Sequence, residues 1–199
     1  MKRLAVAFAA ILALSIPCTA PAAVWNIDPA HTNVAFKIRH LTISNVKGNF
    51  VKFSGTVDID DKDVTKSRID VTIETASIGT NVQKRDDHLR SADFFDIATY
   101  PTMTFVSRKI LPAGQDKLTV TGDLTLRGVT REVVLEVEGL SQEVRDPWGG
   151  VRRGASASAK INRKDFGLAW NEELEGGGLA VGEEVAISLE VELVKVQPK

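Results

Sequence analysis

The strongest constraint in this sequence is alternation. Val185, Ile187, Leu189, Val191 and Leu193 alternate with Glu184, Ala186, Ser188, Glu190 and Glu192. Successive side chains of an extended strand point to opposite faces, so a period of two sorts one apolar set from one polar set. The pattern recurs along the chain. Val34, Phe36 and Ile38 alternate with Asn33, Ala35, Lys37 and Arg39, and Phe53, Gly55, Val57 and Ile59 with Ser54, Thr56 and Asp58. Ile69, Val71 and Ile73 follow, then Met103 and Phe105, then Leu118, Val120, Leu124 and Leu126 around Gly122. Val133, Leu135 and Val137 make the next run, and Ala155, Ala157, Ala159 and Ile161 the last before 185. Strands with one apolar and one wet face belong in antiparallel sheets. About eight of them, mostly separated by short turn signals, predict an all-β meander closed into a single eight-stranded antiparallel barrel. A β-sandwich is the alternative on spacing alone.

The turn signals are Asp60–Asp63, Pro112–Gly114, Arg127–Thr130 and Asp146–Gly150. One connection is longer. From Gln83 to Asp93 the chain is charged and without a period of two, and Pro101 restarts a strand. A short helical crossover is expected there, with Asn81 as its N-cap. Connections of this length are uncommon in compact domains and are often functional or space-filling.

The N-terminus reads as a secretory leader over 1–22. Lys2 and Arg3 precede an apolar run from Leu4 to Ile16, and Ala20-Pro21-Ala22 offers a cleavage site. The run is too short to span a bilayer as a helix. The domain proper is then 23–199, with no stable membrane insertion expected. Its 23 basic and 26 acidic residues are too balanced for a nucleic-acid binder. The one cysteine, Cys18, lies in the leader, so the domain has no disulfide and no thiol chemistry.

Few residues suggest chemistry. His88 has Asp86 and Asp87 beside it, and an imidazole held by a carboxylate is the core of a general base. Ser91 is a nucleophile candidate only by proximity. No G-x-S-x-G motif accompanies it. The plainer reading is that Arg85, Asp86 and His88 bond one another and nearby backbone and anchor the crossover to the barrel rim. The other histidines, His31 and His40, are nine residues apart and do not share a strand face. No metal, cofactor or phosphate cradle is expected from these spacings. A ligand-free structural protein with a filled barrel, and a hydrolase or isomerase using His88 and Asp86, stay open as alternatives to a binding protein.

An eight-stranded barrel is wide enough to be filled by its own side chains or to hold one slender ligand. Strand parity points Val34, Phe36, Ile38, Ile69, Val71, Ile73 and Phe105 inward. It does the same for Leu124, Leu135, Ala155, Ala157, Ala159, Ile187 and Leu189. The alanines, with Gly55 and Gly122, are small at inward positions and leave volume. Phe94, Phe95 and Trp170 are the bulky groups available to line or fill it.

The stretch Arg85-Asp86-Asp87-His88-Leu89-Arg90-Ser91-Ala92-Asp93-Phe94-Phe95-Asp96, followed by Tyr100-Pro101-Thr102, resembles the signature of the YceI-like family of lipid- and polyisoprenoid-binding proteins. Four further segments are similar and fall in the same order. They are Trp25–His31, Phe36–Leu41 with Val46–Phe50, Thr121–Thr130 and Ile161–Gly167. The resemblance implies a lipocalin-like barrel, usually secreted to the periplasm, that binds a long isoprenoid chain, a quinone tail or a related amphiphilic lipid. It implies no enzymatic activity, and dimers are common in the family. The inward residues above would then be pocket walls. Arg85, Asp86, His88 and Arg90 would meet a polar head group at the rim.

Overall fold

The alternating segments form long strands that bend. The computed structural model describes residues 23–197; the leader expected over 1–22 lies outside them. The strands are β1 (Ala23–Ile27), β2 (Asn33–His40), β3 (Ser44–Phe50), β4 (Phe53–Ile59), β5 (Arg68–Glu74) and β6 (Ile78–Gly79). After helix α1 (Gln83–Arg90) come β7 (Thr102–Pro112), β8 (Lys117–Leu126), β9 (Val129–Glu138), β10 (Val144–Arg145), β11 (Val151–Asn162) and β12 (Val181–Lys195).

Register shows which segments are one strand. The long β12 pairs with β1 at Trp25↔Lys195 and Ile27↔Leu193, and with β2 at Val34↔Leu189 and Ile38↔Val185. β1 and β2 therefore run in one direction along one neighbour, interrupted at 28–32. Thr32 bridges the gap, its hydroxyl accepting from Glu192 N at 3.0 Å and donating to Glu192 O at 3.4 Å. β4 follows β3 in the same way beside them, and β6 follows β5 after a 3-10 turn at Thr75–Ser77. With these pairs merged and the two-residue β10 set aside, eight strands pair each with the next, and β11–β12 and β12–β1 pairing closes the ring. The barrel is an up-and-down meander, as the alternation predicts.

The two ends differ. At the base, Trp25 is fully buried with Ile59, Val151 and Leu193. The Arg153 guanidinium and the Lys195 ammonium lie 5.2 and 5.3 Å from its ring. At the other end the crossover covers a larger cluster that includes Phe50, Ile78, Phe94, Met103 and Phe166. Arg127 and Gly128, both at positive φ, make the two-residue β8–β9 turn there. A Cβ on Gly128 would lie 2.8 Å from the Tyr100 ring, so glycine serves both the turn and the close approach.

One ion-pair network ties the break in the first strand to the β11 hairpin. Arg152 donates to Asp28 at 2.6 Å, to Asp146 at 2.7 Å, and to Glu192. His31 Nδ1 lies 2.9 Å from Asp28 Oδ2. The His31 hydrogen bond and then the Arg152 hydrogen bond hold the Asp28 carboxyl at about 2. A carboxylate with a lowered folded-state pKa stabilises the fold above its ordinary range near 4, and the contribution vanishes as pH falls through about 2. Stability measured by urea unfolding is therefore expected to fall between pH 4 and pH 2, and Asp28→Asn is expected to flatten that fall. An equally steep decline in the variant would assign it to other groups.

Candidate functional site

Inside the barrel lies a cavity of about 810 Å3, in the upper part of the range of about 300–1,000 Å3 for small-molecule pockets. Its walls come from the inward faces of the strands. Val34, Phe36 and Ile38 of β2 meet Ile187 and Leu189 of β12. Ile69, Val71 and Ile73 of β5 stand beside Phe105 of β7, and Leu124 of β8 and Leu135 of β9 follow. Ala155 and Ala157 of β11 complete the circuit, with Phe94, Phe95 and Trp170 at the crossover end. Ala159 departs from this set. It is buried in the packed cluster with Phe166 and Leu168, not on the wall.

The glycines do not supply the volume that parity assigns to them. A Cβ on Gly122 would fall 2.5 Å from Phe105 Cζ, and one on Gly55 would meet the β5 backbone and Ile27. Gly48 is similar, its Cβ position 2.4 Å from Phe36 Cζ. Ring atoms of Phe105 and Phe36 occupy the space that Gly122 and Gly48 leave. The alanines Ala155 and Ala157, by contrast, line the cavity. Met103, Val120, Leu126 and Val133 also line the cavity. Their parity signal was present in the same runs of alternation.

The charged crossover divides by helical phase. Lys84, Arg85, His88 and Leu89 share the face of α1 that borders the cavity. Asp86 and Arg90, four apart, share a different face and correct the rim assignment. Asp86 is buried, its carboxylate accepting from Thr80 N at 2.9 Å and from the Thr80 hydroxyl. Arg85 donates to the same hydroxyl at 2.7 Å and to Thr80 O at 2.8 Å. Arg90 donates to Ala76 O at 2.9 Å and Ile78 O at 2.7 Å. The helix is thus stapled to 76–80. Asn81 does not cap it: Asn81 takes a left-handed φ of 63°, and Val82 stands at the N-cap without a side-chain bond.

The His88–Asp86 pair does not form. His88 Nε2 lies 2.9 Å from Asp93 Oδ2, and its ring packs edge-on against Phe94 and Trp170 at 5.0 and 4.8 Å. Ser91 Oγ donates to the backbone carbonyl of His88 at 2.8 Å, not to the imidazole. His88 is thus a wall residue with one polar edge. Trp170 is placed by the loop after β11. Buried Arg163 holds that loop by donating to Gly182 O at 2.8 Å and to Leu168 O, and burial lowers its pKa.

The wall reaches the surface at Val82, Lys84 and Glu172, all exposed. The mouth therefore opens between α1, the 168–174 loop, and His40, Leu41 and Val46 of the β2–β3 hairpin. Asp28, His31 and Glu192 bring ligand atoms within 4.8 Å of one another, an arrangement able to hold a cation. The Arg152 guanidinium is already bonded to both Asp28 and Glu192.

An up-and-down eight-stranded barrel around an apolar cavity with a polar mouth defines a lipocalin-like barrel protein. The YceI-like domain matches residues 25–193, and the chain belongs to that family. Protein YceI of Escherichia coli is 46% identical over 152 residues, covering 75% of this chain and 78% of that protein. A UPF0312 protein of Vibrio parahaemolyticus is 39% identical over 170 residues, covering 84% and 89%. Among solved structures, Burkholderia cenocepacia BcnA superposes with a TM-score of 0.73 at 28% identity, over 83% of this chain and 98% of that one. A polyisoprenoid binding domain from Saccharophagus degradans shares the fold, with a TM-score of 0.64 at 18% identity over 88% and 99%.

Proposed function

We propose that this protein binds a long apolar chain inside its barrel, as a carrier or store for a polyisoprenoid, a quinone or a related amphiphilic lipid in the periplasm. The observation that carries this reading is the lining. The cavity is lined mainly by apolar side chains, and Lys84, Arg85 and His88 of α1 and His40 of the β2–β3 hairpin stand among the few polar ones. A filled barrel would show no such volume. Membership of the YceI-like family and the shared fold with a polyisoprenoid binding domain support the same reading. Each buried methylene contributes about 0.8 kcal/mol. About twenty of them offset an association cost of roughly 4–15 kcal/mol. The polar head would remain at the mouth beside Arg85 and His88. Nothing in the bonding of His88 and Asp86 favours acid–base chemistry over this role.

Trp170 is a reporter on the wall, while Trp25 is buried in the base and Trp148 is exposed. Adding a long isoprenoid alcohol in dilute detergent is expected to change the tryptophan emission. Trp170→Phe is expected to remove most of that change while retention of the alcohol on gel filtration persists. An unchanged emission and no retained alcohol would count against the reading.

A further inference from the structure

The end of the barrel that carries the mouth also carries the β2–β3 hairpin, paired with β12 along its β2 edge up to Val181↔His40. β2 and β3 stay paired up to His40↔Ser44, but β6 partners β3 only at Asn49 and Phe50. Residues 44–48 therefore stand beyond the neighbouring strand. The inner face of the hairpin belongs to the cavity through Ile38, His40 and Val46.

Its outer face is basic. Lys37, Arg39 and Lys47 are all exposed, and Lys37 lies directly opposite Lys47 in the register. Like charges placed opposite one another across strands are destabilising. Among the described residues no carboxylate pairs with any of these three or with Lys84. Glu183 and Glu184, across the β12 bulge, are taken by Lys164 and Lys160. At the tip, Leu41 and Thr42 both take left-handed φ values, and Ile43 is left 77% exposed. Val82, beside the mouth, is also exposed, at 46%.

An exposed branched apolar tip above an unneutralised basic face is the arrangement that an anionic lipid surface complements. The apolar side chain enters the interfacial region, and the cations meet phosphate groups. We propose that the β2–β3 hairpin docks the mouth of the barrel on an anionic phospholipid bilayer. Ile43 inserts, and Lys37, Arg39 and Lys47 contact head groups. Glu172, Glu173 and Glu175, on the loop whose Ala180 carbonyl accepts from Leu41 N, disfavour an end-on approach. The outer face of the hairpin is then the contact. The purpose of docking, passing an apolar chain from bilayer to cavity without crossing water, rests on the function proposed above.

The test is co-sedimentation of the protein with vesicles of phosphatidylcholine and phosphatidylglycerol in equal parts, against vesicles of phosphatidylcholine alone. Partition into the anionic vesicles is expected at low ionic strength, weakening as salt shortens the screening length. Lys37→Gln with Lys47→Gln is expected to lower it about fivefold for each lysine removed. Ile43→Ser is expected to lower it about tenfold. Melting temperature is read alongside and is expected to be unchanged in Ile43→Ser, and unchanged or higher once the Lys37–Lys47 repulsion is gone. No partition at low salt, equal partition into neutral vesicles, or variants that bind like the parent would each overturn the proposal. Equal binding to soluble polyglutamate would assign the patch to an acidic polypeptide and overturn it as well. Uptake of an isoprenoid alcohol from detergent is measured separately. If that uptake fails while vesicle partition behaves as expected, docking stands and the cavity reading falls.

Discussion

Ala157→Trp is expected to leave the barrel folded and to remove most of its capacity for a long chain. Ala157 sits in mid-strand on β11, opposite Leu189 on one side and Val137 on the other, with its methyl group on the cavity wall. The open volume lies beside it, so an indole there enters empty space and not a packed core. Filling a void of this kind is neutral or mildly stabilising when a rotamer fits. The ligand meets the opposite situation. If the indole displaces about five methylenes at ~0.8 kcal/mol each, binding weakens by about 4 kcal/mol. Ser158→Trp is the control, because Ser158 is the next residue on the same strand and faces outward. Retention of a chain by both variants alike would place the ligand outside the barrel.

Trp25→Ala is expected to carry the largest stability cost of any single change at the base, about 3–5 kcal/mol by urea unfolding. Trp25 has no exposed surface and, from β1 between β4 and β12, packs with Ile59, Val151 and Leu193. It also lies against two cations, Arg153 and Lys195. Removing the ring leaves a cavity and frees both cations from an aromatic face. Its indole Nε1 is buried and has no hydrogen-bond acceptor among the described residues. Trp25→Phe therefore loses packing but no hydrogen bond and is expected to cost well under half as much as alanine. Equal costs for phenylalanine and alanine would show that a polar contact of the indole, and not its volume, holds the base.

The barrel was legible because period-two alternation survives bends. Residues 53–59, 68–74 and 184–193 read as strands without help, and each is one. Alternation did not mark 23–27 or 44–50 as strands, nor show that 33–40 continues the first and that the second runs on into 53–59. The breaks at 28–32 and 51–52 reset the phase, and continuity appears only in the register of β1 and β2 against β12, and of β3 and β4 against β2 and β1. The pocket wall was legible for the same reason as the strands. Ala159 was not, because parity tells which way a side chain points and not what lies above it. The glycines misled in the same way, since the Phe105 ring occupies the place beside Gly122, and the β5 backbone and Ile27 that beside Gly55. The crossover was the hardest to read. Its charges cluster in sequence, but helical phase sends Asp86 and Arg90 to the backbone at 76–80 and leaves Arg85 and His88 at the cavity. Charge density carries no phase, and only the helix start at Gln83 fixes it.

The central claim is that the barrel interior is a binding site for a long apolar chain. The most direct measurement is native mass spectrometry of the freshly purified protein, paired with solvent extraction of the same sample. A retained species of isoprenoid-type mass, lost in Ala157→Trp and kept in Ser158→Trp, is the expected result. A bare polypeptide mass, with no chain taken up when a long isoprenoid alcohol is supplied during refolding, would contradict it.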